Sequence, residues 1–375
     1  MRPVIAYSNL VTPYGKGMDP CWNGLMSSNT AITQIRRFNT TAFKSNQAAV
    51  VSSIDRENKE SLAMQLVRES FADNLSNIPS DSFVILATTT GEIDLLERSI
   101  LGEAVNADDS RINMMFDKVC ALLSINGGGC VISAACASST IALGYAASRI
   151  RDNLSSSVLV VACDSVNEFV YSGFSSLMAL DAGPAKPFDR NRKGLTPGEA
   201  AAFTLIMSEE RATSDGFDAD IEIAGWGMSN DANHMTGPSR DGTALAIAIR
   251  KAFQTSQCKT NDISSICAHG TGTPYNDGME MKAFKLIFDN QPIPVYSVKG
   301  GIGHTMGAAG LVESLIAVRS LQECIAPPTV GLDHVDDMAS GWVSPEAVVT
   351  RNTGMVLTTN SGFGGVNAAL VLKQL

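Results

Sequence analysis

One cysteine and two histidines stand where glycine-rich turns join predicted strands to predicted helices. Cys136 lies in residues 133–139, between a short apolar strand and a helix of small residues. His269 and His304 follow two further predicted strands, each within a glycine-rich turn. Loops on a rigid scaffold commonly carry catalytic groups. These three side chains are therefore candidate catalytic residues.

The thiol of Cys136 has two interpretations. At the start of a helix, the positive end of the helix dipole favours a thiolate and lowers the thiol pKa. Backbone N–H groups at the same helix start can bind a developing oxyanion. A free cysteine is, however, commonly a small buried hydrophobic residue. The other two histidines, His234 and His334, are interpreted as ordinary polar residues.

The elements that must position these residues alternate between strand and helix. Residues 1–215 contain predicted strands, the Cys136 turn and its helix. A polar stretch at 208–220 leads into residues 216–375, which contain the turns of both histidines. Such alternation predicts an α/β fold with right-handed crossovers and buried sheets covered by helices. We therefore expect two α/β halves.

The composition limits the class of protein. The 375 residues carry a formal net charge of −10, which argues against a nucleic-acid partner. No run approaches about 18 uninterrupted apolar residues, and no charged region precedes an apolar run at the N-terminus, so neither membrane insertion nor export is expected. The eight cysteines form no Cys-x-x-Cys pair, which predicts a reduced, cytoplasmic compartment and no zinc site.

Five ordered motifs extend this pattern, at residues 133–139, 186–201, 268–274, 297–310 and 360–367. Together they resemble the beta-ketoacyl-[acyl-carrier-protein] synthases of the elongating type, thiolase-fold condensing enzymes, from about residue 80 to the end. Ketosynthase subunits of type II polyketide and aryl polyene systems share the pattern. The resemblance implies a layered αβαβα arrangement of two pseudo-symmetric halves. It also places the helices after Cys136 and His304 in equivalent central positions.

The resemblance implies a role for each candidate residue. Cys136 would hold the acyl group as a thioester. His269 and His304 would donate Nε2–H to the enolate oxygen that forms when a malonyl thioester loses carbon dioxide. Lys299 would be a fourth catalytic residue that forms hydrogen bonds within this cluster, and Glu313 would support it by completing a buried charge pair. That pair could also be purely structural.

Further residues would bind the substrate. The family pattern implies an oxyanion hole between the backbone N–H groups of Cys136 and Phe363. It also implies that Thr271 and Thr273 bind the amides of the phosphopantetheine arm. Phe363 lies between glycines and would gate the acyl pocket, or else form a simple hydrophobic wall. Ser361 stands where the family usually has a second phenylalanine, so the product could be a fatty acid, a polyketide or a polyene.

Three related protein types within the same fold are alternatives to an elongating synthase. A thiolase needs a second cysteine in the C-terminal glycine-rich loop, but the last cysteine is Cys324. An initiating synthase that uses coenzyme A has a Cys-His-Asn set, whereas this chain has Cys-His-His. A chain-length-factor partner subunit normally lacks the cysteine. The sequence therefore predicts a catalytic subunit that performs decarboxylative condensation, with a non-elongating partner subunit or a thiolase-type acyltransferase as the alternative.

The resemblance also implies partners. Acyl carrier protein would deliver the substrates, and its phosphopantetheine arm is not a cofactor of the synthase itself. No metal or redox cofactor is implied. The family is dimeric, so this chain is expected as a homodimer or as a heterodimer with a chain-length-factor-like homologue. The loop with Arg190, Arg192 and Lys193 is the densest basic candidate for docking the acidic carrier.

Overall fold

The computed structural model describes residues 1–72 and 75–375. The strands are β1 (Pro3–Thr12), β2 (Gly15–Lys16), β3 (Thr33–Gln34), β4 (Gln47–Ala48), β5 (Phe83–Ala87), β6 (Gly129–Ile132), β7 (Ser157–Asp164), β8 (Ala200–Ser208), β9 (Ile221–Asn230), β10 (Ile263–Cys267), β11 (Val295–Tyr296), β12 (Ile325–Ala326), β13 (Val348–Val349), β14 (Met355–Gly362) and β15 (Val366–Gln374). The α-helices are α1 (Met18–Met26), α2 (Leu62–Phe71), α3 (Ile93–Ile100), α4 (Ile112–Leu123), α5 (Ser138–Arg151), α6 (Glu168–Ser176), α7 (Glu209–Ser214), α8 (Thr243–Ser256), α9 (Pro274–Ile287), α10 (Lys299–Ile302) and α11 (Ala309–Glu323).

The main sheet contains the same five-strand pattern twice. Its order is β6-β5-β7-β8-β1 in the first half and β9-β15-β14-β10-β11 in the second. The two halves meet at the β1–β9 pair. If the five strands of each half are numbered along the chain, their order outward from this pair is first, fifth, fourth, second and third in both halves. Parallel and antiparallel pairs also correspond between the halves. The α/β prediction is confirmed, and the repeat favours a division near residues 215 and 216, which stays a prediction.

Two helices of small residues lie between the halves. Helix α5 contacts β7 and β9, and α11 contacts β14 and β8, so each helix touches strands of both halves. They cross so closely that a Cβ added at Gly310 would lie 2.0 Å from the Oγ1 atom of Thr140. Helix α2 covers the outer face of the first-half strands of this sheet, and α8 covers the outer face of the second-half strands. This order gives the five layers that were predicted.

Burial explains the composition of the central strands. Every residue of β7 and of β8 is buried, as expected for a sheet with helices on both faces. The parallel strands β5, β6 and β7 end at one edge of the sheet, close to Thr88, Cys136 and Asp164. Ligands of open α/β sheets commonly bind at this edge. Within the described ranges, no helix is long and apolar enough to cross a membrane.

Candidate active site

A sharp turn between β6 and α5 presents the thiol of Cys136. The preceding residue, Ala135, has a φ of +49°, in the left-handed region that costs a non-glycine residue about 1 kcal/mol or more. The Ser138 hydroxyl holds this turn, since it accepts from the Ala134 N–H at 2.8 Å and donates to the Ala135 carbonyl at 2.6 Å. Cys136 is only 7% exposed. The turn therefore fixes a buried sulfur atom.

The structure brings both predicted histidines to this sulfur. His269 lies in the turn after β10, separated from the strand only by Ala268, as expected. The expectation that His304 also stands at the end of a strand is wrong, because α10 and Gly303 stand between β11 and this residue. The two imidazole rings are 5.1 Å apart and nearly perpendicular, and the Nε2 atom of His304 lies 3.0 Å from the Cys136 sulfur.

Hydrogen bonds select the same tautomer for both imidazoles. The Nδ1 atom of His304 accepts from the Met306 backbone N–H at 3.2 Å. The Nδ1 atom of His269 faces two donors, the Asn360 amide at 3.1 Å and the Lys299 ammonium at 3.2 Å. Burial lowers the pKa of both imidazoles well below the ordinary value, so both are neutral at neutral pH. Each ring therefore carries its proton on Nε2.

A buried network stands behind His269. The Lys299 ammonium donates to the Glu313 carboxylate and to the His269 carbonyl. The second oxygen of Glu313 accepts from Asn360 at 2.7 Å, and the Asn360 carbonyl accepts from Thr140 at 2.5 Å. All of these side chains are at most 1% exposed. The predicted Lys299–Glu313 pair thus forms, and it contacts His269 through Lys299.

The thiol pKa contradicts one expectation from the sequence. Burial raises the pKa of Cys136 to about 11, although the charge of Lys299 and the backbone N–H of Phe363 act in the opposite direction. The lowered thiol pKa that was expected from the helix dipole is therefore wrong. Desolvation of the charged form outweighs the attractive contributions. At neutral pH the resting site holds a neutral thiol beside neutral imidazoles.

The same three side chains have metal-like spacing. Their possible ligand atoms all lie within 4.8 Å of one another. A metal-ligating histidine almost always donates its other ring N–H to an acceptor. Here the other nitrogens of His269 and His304 face hydrogen-bond donors instead. The Nε2 atoms consequently present N–H groups rather than lone pairs, which suits an oxyanion and does not fit a resident metal ion.

A cavity of about 710 Å³ opens onto the three side chains. Thr271 and Thr273 line it, with their hydroxyl oxygens 2.9 Å apart. The Phe363 N–H donates to the Cys136 thiol, and Gly362 approaches so closely that a Cβ there would lie 3.1 Å from the Cys136 backbone nitrogen. The predicted substrate residues therefore share one cavity with the candidate nucleophile.

The serine that departs from the family pattern also lines this cavity. The Ser361 hydroxyl donates to the Asn367 side-chain oxygen at 2.7 Å, across the β14–β15 pair. An aromatic ring comes instead from α6, where Phe174 lies 6.1 Å from the Phe363 ring and 6.3 Å from the His304 ring. Phe174 is not predictable as a site residue from the sequence, since nothing in its helix marks it as part of a site.

Three carboxylates that were not predicted hold the active-site turns. Glu280 accepts from the His269 backbone N–H at 2.8 Å, and Asp277 accepts from that of Thr271 at 3.0 Å. Asp164 accepts from the Gly307 backbone N–H at 2.7 Å and so anchors the loop after His304. The spacing of Asp277 and Glu280 at the start of α9, directly after the His269 turn, is a usable sequence signal. Asn360 stands in the motif at residues 360–367, and the sequence gives no sign of its contact with His269.

Sequence comparison places the chain in a family. Residues 84–212 match the beta-ketoacyl synthase N-terminal domain, and residues 221–333 match the beta-ketoacyl synthase C-terminal domain. The chain belongs to the beta-ketoacyl synthase family. Beta-ketoacyl synthases are condensing enzymes of fatty acid and type II polyketide biosynthesis, and this chain is an acyltransferase of that kind.

Individual relatives come from both branches of the beta-ketoacyl synthases. The chain is 26% identical over 410 residues to a 3-oxoacyl-[acyl-carrier-protein] synthase 2 from Vibrio cholerae, covering 100% of this chain and 99% of that one. It is 28% identical over 415 residues to the tetracenomycin polyketide synthase ketoacyl synthase alpha subunit from Streptomyces glaucescens, covering 100% and 97%. The solved ishigamide ketosynthase/chain length factor matches with a TM-score of 0.89 and 27% identity, over 100% and 99% of the two chains. This likeness confirms the thiolase-like fold.

Proposed function

We propose that this synthase condenses an acyl group held on Cys136 with malonyl-acyl carrier protein, giving 3-oxoacyl-acyl carrier protein and carbon dioxide. One observation carries the proposal. Two neutral imidazoles, those of His269 and His304, direct Nε2–H donors toward the space beside the Cys136 sulfur. Two such donors stabilise an enolate oxygen without gaining or losing a proton.

The first step is acyl transfer. The Cys136 sulfur attacks the thioester carbonyl, the bond to the pantetheine sulfur breaks, and the thiol proton ends on the departing pantetheine thiol. The backbone N–H groups of Cys136 and Phe363 bind the transient oxyanion. Because the pKa of Cys136 is about 11, this proton leaves only as the new bond forms.

The second step is condensation. The malonyl carboxylate leaves as carbon dioxide, and the electron pair moves into an enolate whose oxygen accepts from His269 and His304. The enolate carbon attacks the acyl carbonyl, the carbon–sulfur bond to Cys136 breaks, and the released thiolate takes up a proton. Thr271 and Thr273 position the phosphopantetheine amides in both steps. Lys299 and Glu313 hold His269, and Phe363 moves to admit the acyl chain.

The substrates and the assembly follow from the relatives. One relative is named for acyl carrier protein and another for a polyketide synthase, so we assign this chain carrier-bound substrates in either pathway and no cofactor beyond the carrier's own arm. Among the strands that the structure describes, the edge strand β6 has no neighbour on one side, and an apolar cavity of about 450 Å³ lies beside it, between Ile132, Tyr145 and Trp226. The unpaired N–H and C=O groups of an open edge form a template on which a strand of another chain can pair. This supports a dimer with a second copy or with a chain-length-factor-like subunit.

The eight free cysteines support a cytoplasmic location.

A variant that separates the two steps tests the proposal. Cys136→Gln removes the nucleophile and imitates the neutral acylated side chain. It should form no acyl-enzyme by intact mass, yet it should still release carbon dioxide from malonyl-acyl carrier protein. An acyl-enzyme in this variant, or the absence of any carbon dioxide release, would contradict the division of roles.

A further inference from the structure

The opening of the active-site cavity has an apolar side. Leu177 and Met178, which line the cavity, are 48% and 83% exposed. Met235 is 78% exposed and lies beside the gate, since its carbonyl accepts from the Gly364 N–H at 2.7 Å. Grouped apolar side chains with this exposure mark interaction sites.

The opening also has a cationic side. Lys193 and Arg240 line the same cavity, and the Arg240 guanidinium lies 4.4 Å from the ring centroid of Tyr275, which is 57% exposed. Neither cation forms an ion pair with any residue that the structure describes. In a chain of net charge −10, two cations without a carboxylate partner at one opening favour an acidic partner.

Neighbouring basic residues differ from this pair. Arg190 and Arg192, which the sequence grouped with Lys193, form ion pairs at 2.6 Å with Asp337 and Asp336. Neither of these two arginines lines the cavity. Of the predicted basic loop, Lys193 therefore has its charge available at the opening, and the second available cation, Arg240, comes from a distant part of the chain.

We propose that these residues form a docking rim for the acyl carrier protein, consisting of Leu177, Met178, Lys193, Met235, Arg240 and Tyr275. The inference rests on the proposed function. Because Cys136 is 7% exposed at the base of the cavity, a substrate arm must enter through the opening, and the protein that carries the arm must rest on the residues around it. Lys193 and Arg240 bind carboxylates of the carrier, while the apolar side covers an apolar patch on it.

The two sides of the docking rim respond differently to salt. Exposed charge pairs are screened as ionic strength rises, whereas apolar contacts are not weakened by screening. Salt should therefore weaken the contribution of Lys193 and Arg240 and leave that of Met178 in place. Mixed docking of this kind predicts a carrier KM that rises with salt and then levels off.

The experiment compares two acyl donors for the same thiol. Acylation of Cys136 is followed by intact mass with octanoyl-acyl carrier protein and with free octanoyl-pantetheine. In the double variant Lys193→Glu with Arg240→Glu, the ratio of kcat/KM for the carrier to that for the free donor should fall at least tenfold at low salt. In Met178→Gln, which removes the apolar contact without adding a charge, the ratio should fall at least fivefold at low and high salt alike.

Two matched controls carry the same chemical changes elsewhere. Arg190→Glu and Leu286→Gln, the latter at an exposed position on α9, should leave the ratio within twofold of the wild-type value. A ratio that does not change in the rim variants, or that falls equally in the controls, overturns the docking rim. If neither donor acylates the wild-type enzyme, the proposed function itself fails, which is a different result.

Discussion

The side chains around Cys136 differ in which proton each one holds. The thiol keeps its proton because burial raises its pKa to about 11, and the imidazoles keep theirs on Nε2 because their Nδ1 atoms face donors. A site of this kind contains no strong general base at rest. It stabilises negative charge where that charge develops, in the two transition states, through donors that are already in place.

His304→Ala separates these roles at the residue scale. We expect acylation of Cys136 to persist, because the backbone N–H groups of the oxyanion hole remain. Release of carbon dioxide from malonyl-acyl carrier protein should fall by roughly 10²–10³, the typical effect of losing one oxyanion donor. Intact mass and carbon dioxide release measure the two steps. Loss of acylation as well would instead make His304 a base or a structural residue.

Asn360→Asp tests the tautomer of His269. The carboxylate cannot donate to Nδ1 and lies beside Glu313, so the ring loses one of the two donors that fix its proton on Nε2. We expect decarboxylation to fall about tenfold or more while acylation is retained. Nitrogen-15 NMR of labelled histidine should show Nδ1 protonation increasing. An unchanged spectrum together with unchanged decarboxylation would exclude this positioning role.

The raised thiol pKa makes alkylation strongly dependent on pH. Below the pKa of about 11, the thiolate fraction of Cys136 increases about tenfold per pH unit. The iodoacetamide rate at Cys136, followed by peptide mass mapping of the free enzyme, should therefore keep rising from about pH 7 to pH 10. A free cysteine, with a pKa of about 8.5, levels off within this range and is the reference. A plateau at neutral pH would mean that the thiolate is stabilised after all.

At the scale of elements, the gate is built from two segments far apart in sequence. Strand β14 brings Ser361 to the cavity, and α6 brings Phe174 against the ring of Phe363. Compared with the family pattern, this chain lacks an aromatic ring at position 361. The structure places another ring, that of Phe174, against Phe363 from α6. The shape of the acyl pocket therefore depends on both elements.

Ser361→Phe measures the effect of this arrangement on the substrate. A phenylalanine would lose the hydrogen bond to Asn367 and fill part of the pocket, at about 25 cal/mol per Å² of apolar surface, or roughly 1–3 kcal/mol for a ring. Turnover of long or conjugated acyl groups should fall far more than that of short saturated ones. Both classes are assayed side by side. Equal losses for the two classes would assign Ser361 a structural role alone.

The crossing of α5 and α11 gives a stability prediction. A side chain at Gly310 would collide with Thr140, because even a Cβ would lie 2.0 Å from its hydroxyl oxygen. Gly310→Ala should therefore lower the free energy of unfolding by about 1–3 kcal/mol. Gly173→Ala on α6 is the matched control, since no atom lies within 4 Å of the added Cβ. Thermal and denaturant unfolding should find the control unchanged or slightly stabilised, and equal effects would contradict the account.

At the scale of the whole molecule, sequence alone predicted the architecture and the three central side chains. Alternating strands and helices predicted the α/β class, the family resemblance implied the five layers, and rare residue types in glycine-rich turns indicated Cys136, His269 and His304. It did not give the thiol pKa, because desolvation depends on which atoms surround the sulfur after folding. It also missed Asp164, which meets Gly307 only through a tertiary contact.

The repeated strand order has a consequence for how the protein can be divided. Helices α5 and α11 each present small, apolar faces to strands of both halves, and Asn360 of the second half is hydrogen-bonded to Thr140 of the first. A fragment that ends near residue 215 would expose to water the side of α5 that packs on the second half. The fragment that begins near residue 216 would likewise expose the side of α11 that packs on the first half. Each fragment produced alone should aggregate, whereas co-production should restore a functioning enzyme from two pieces. The repeated strand order thus predicts that each half needs the other in order to fold.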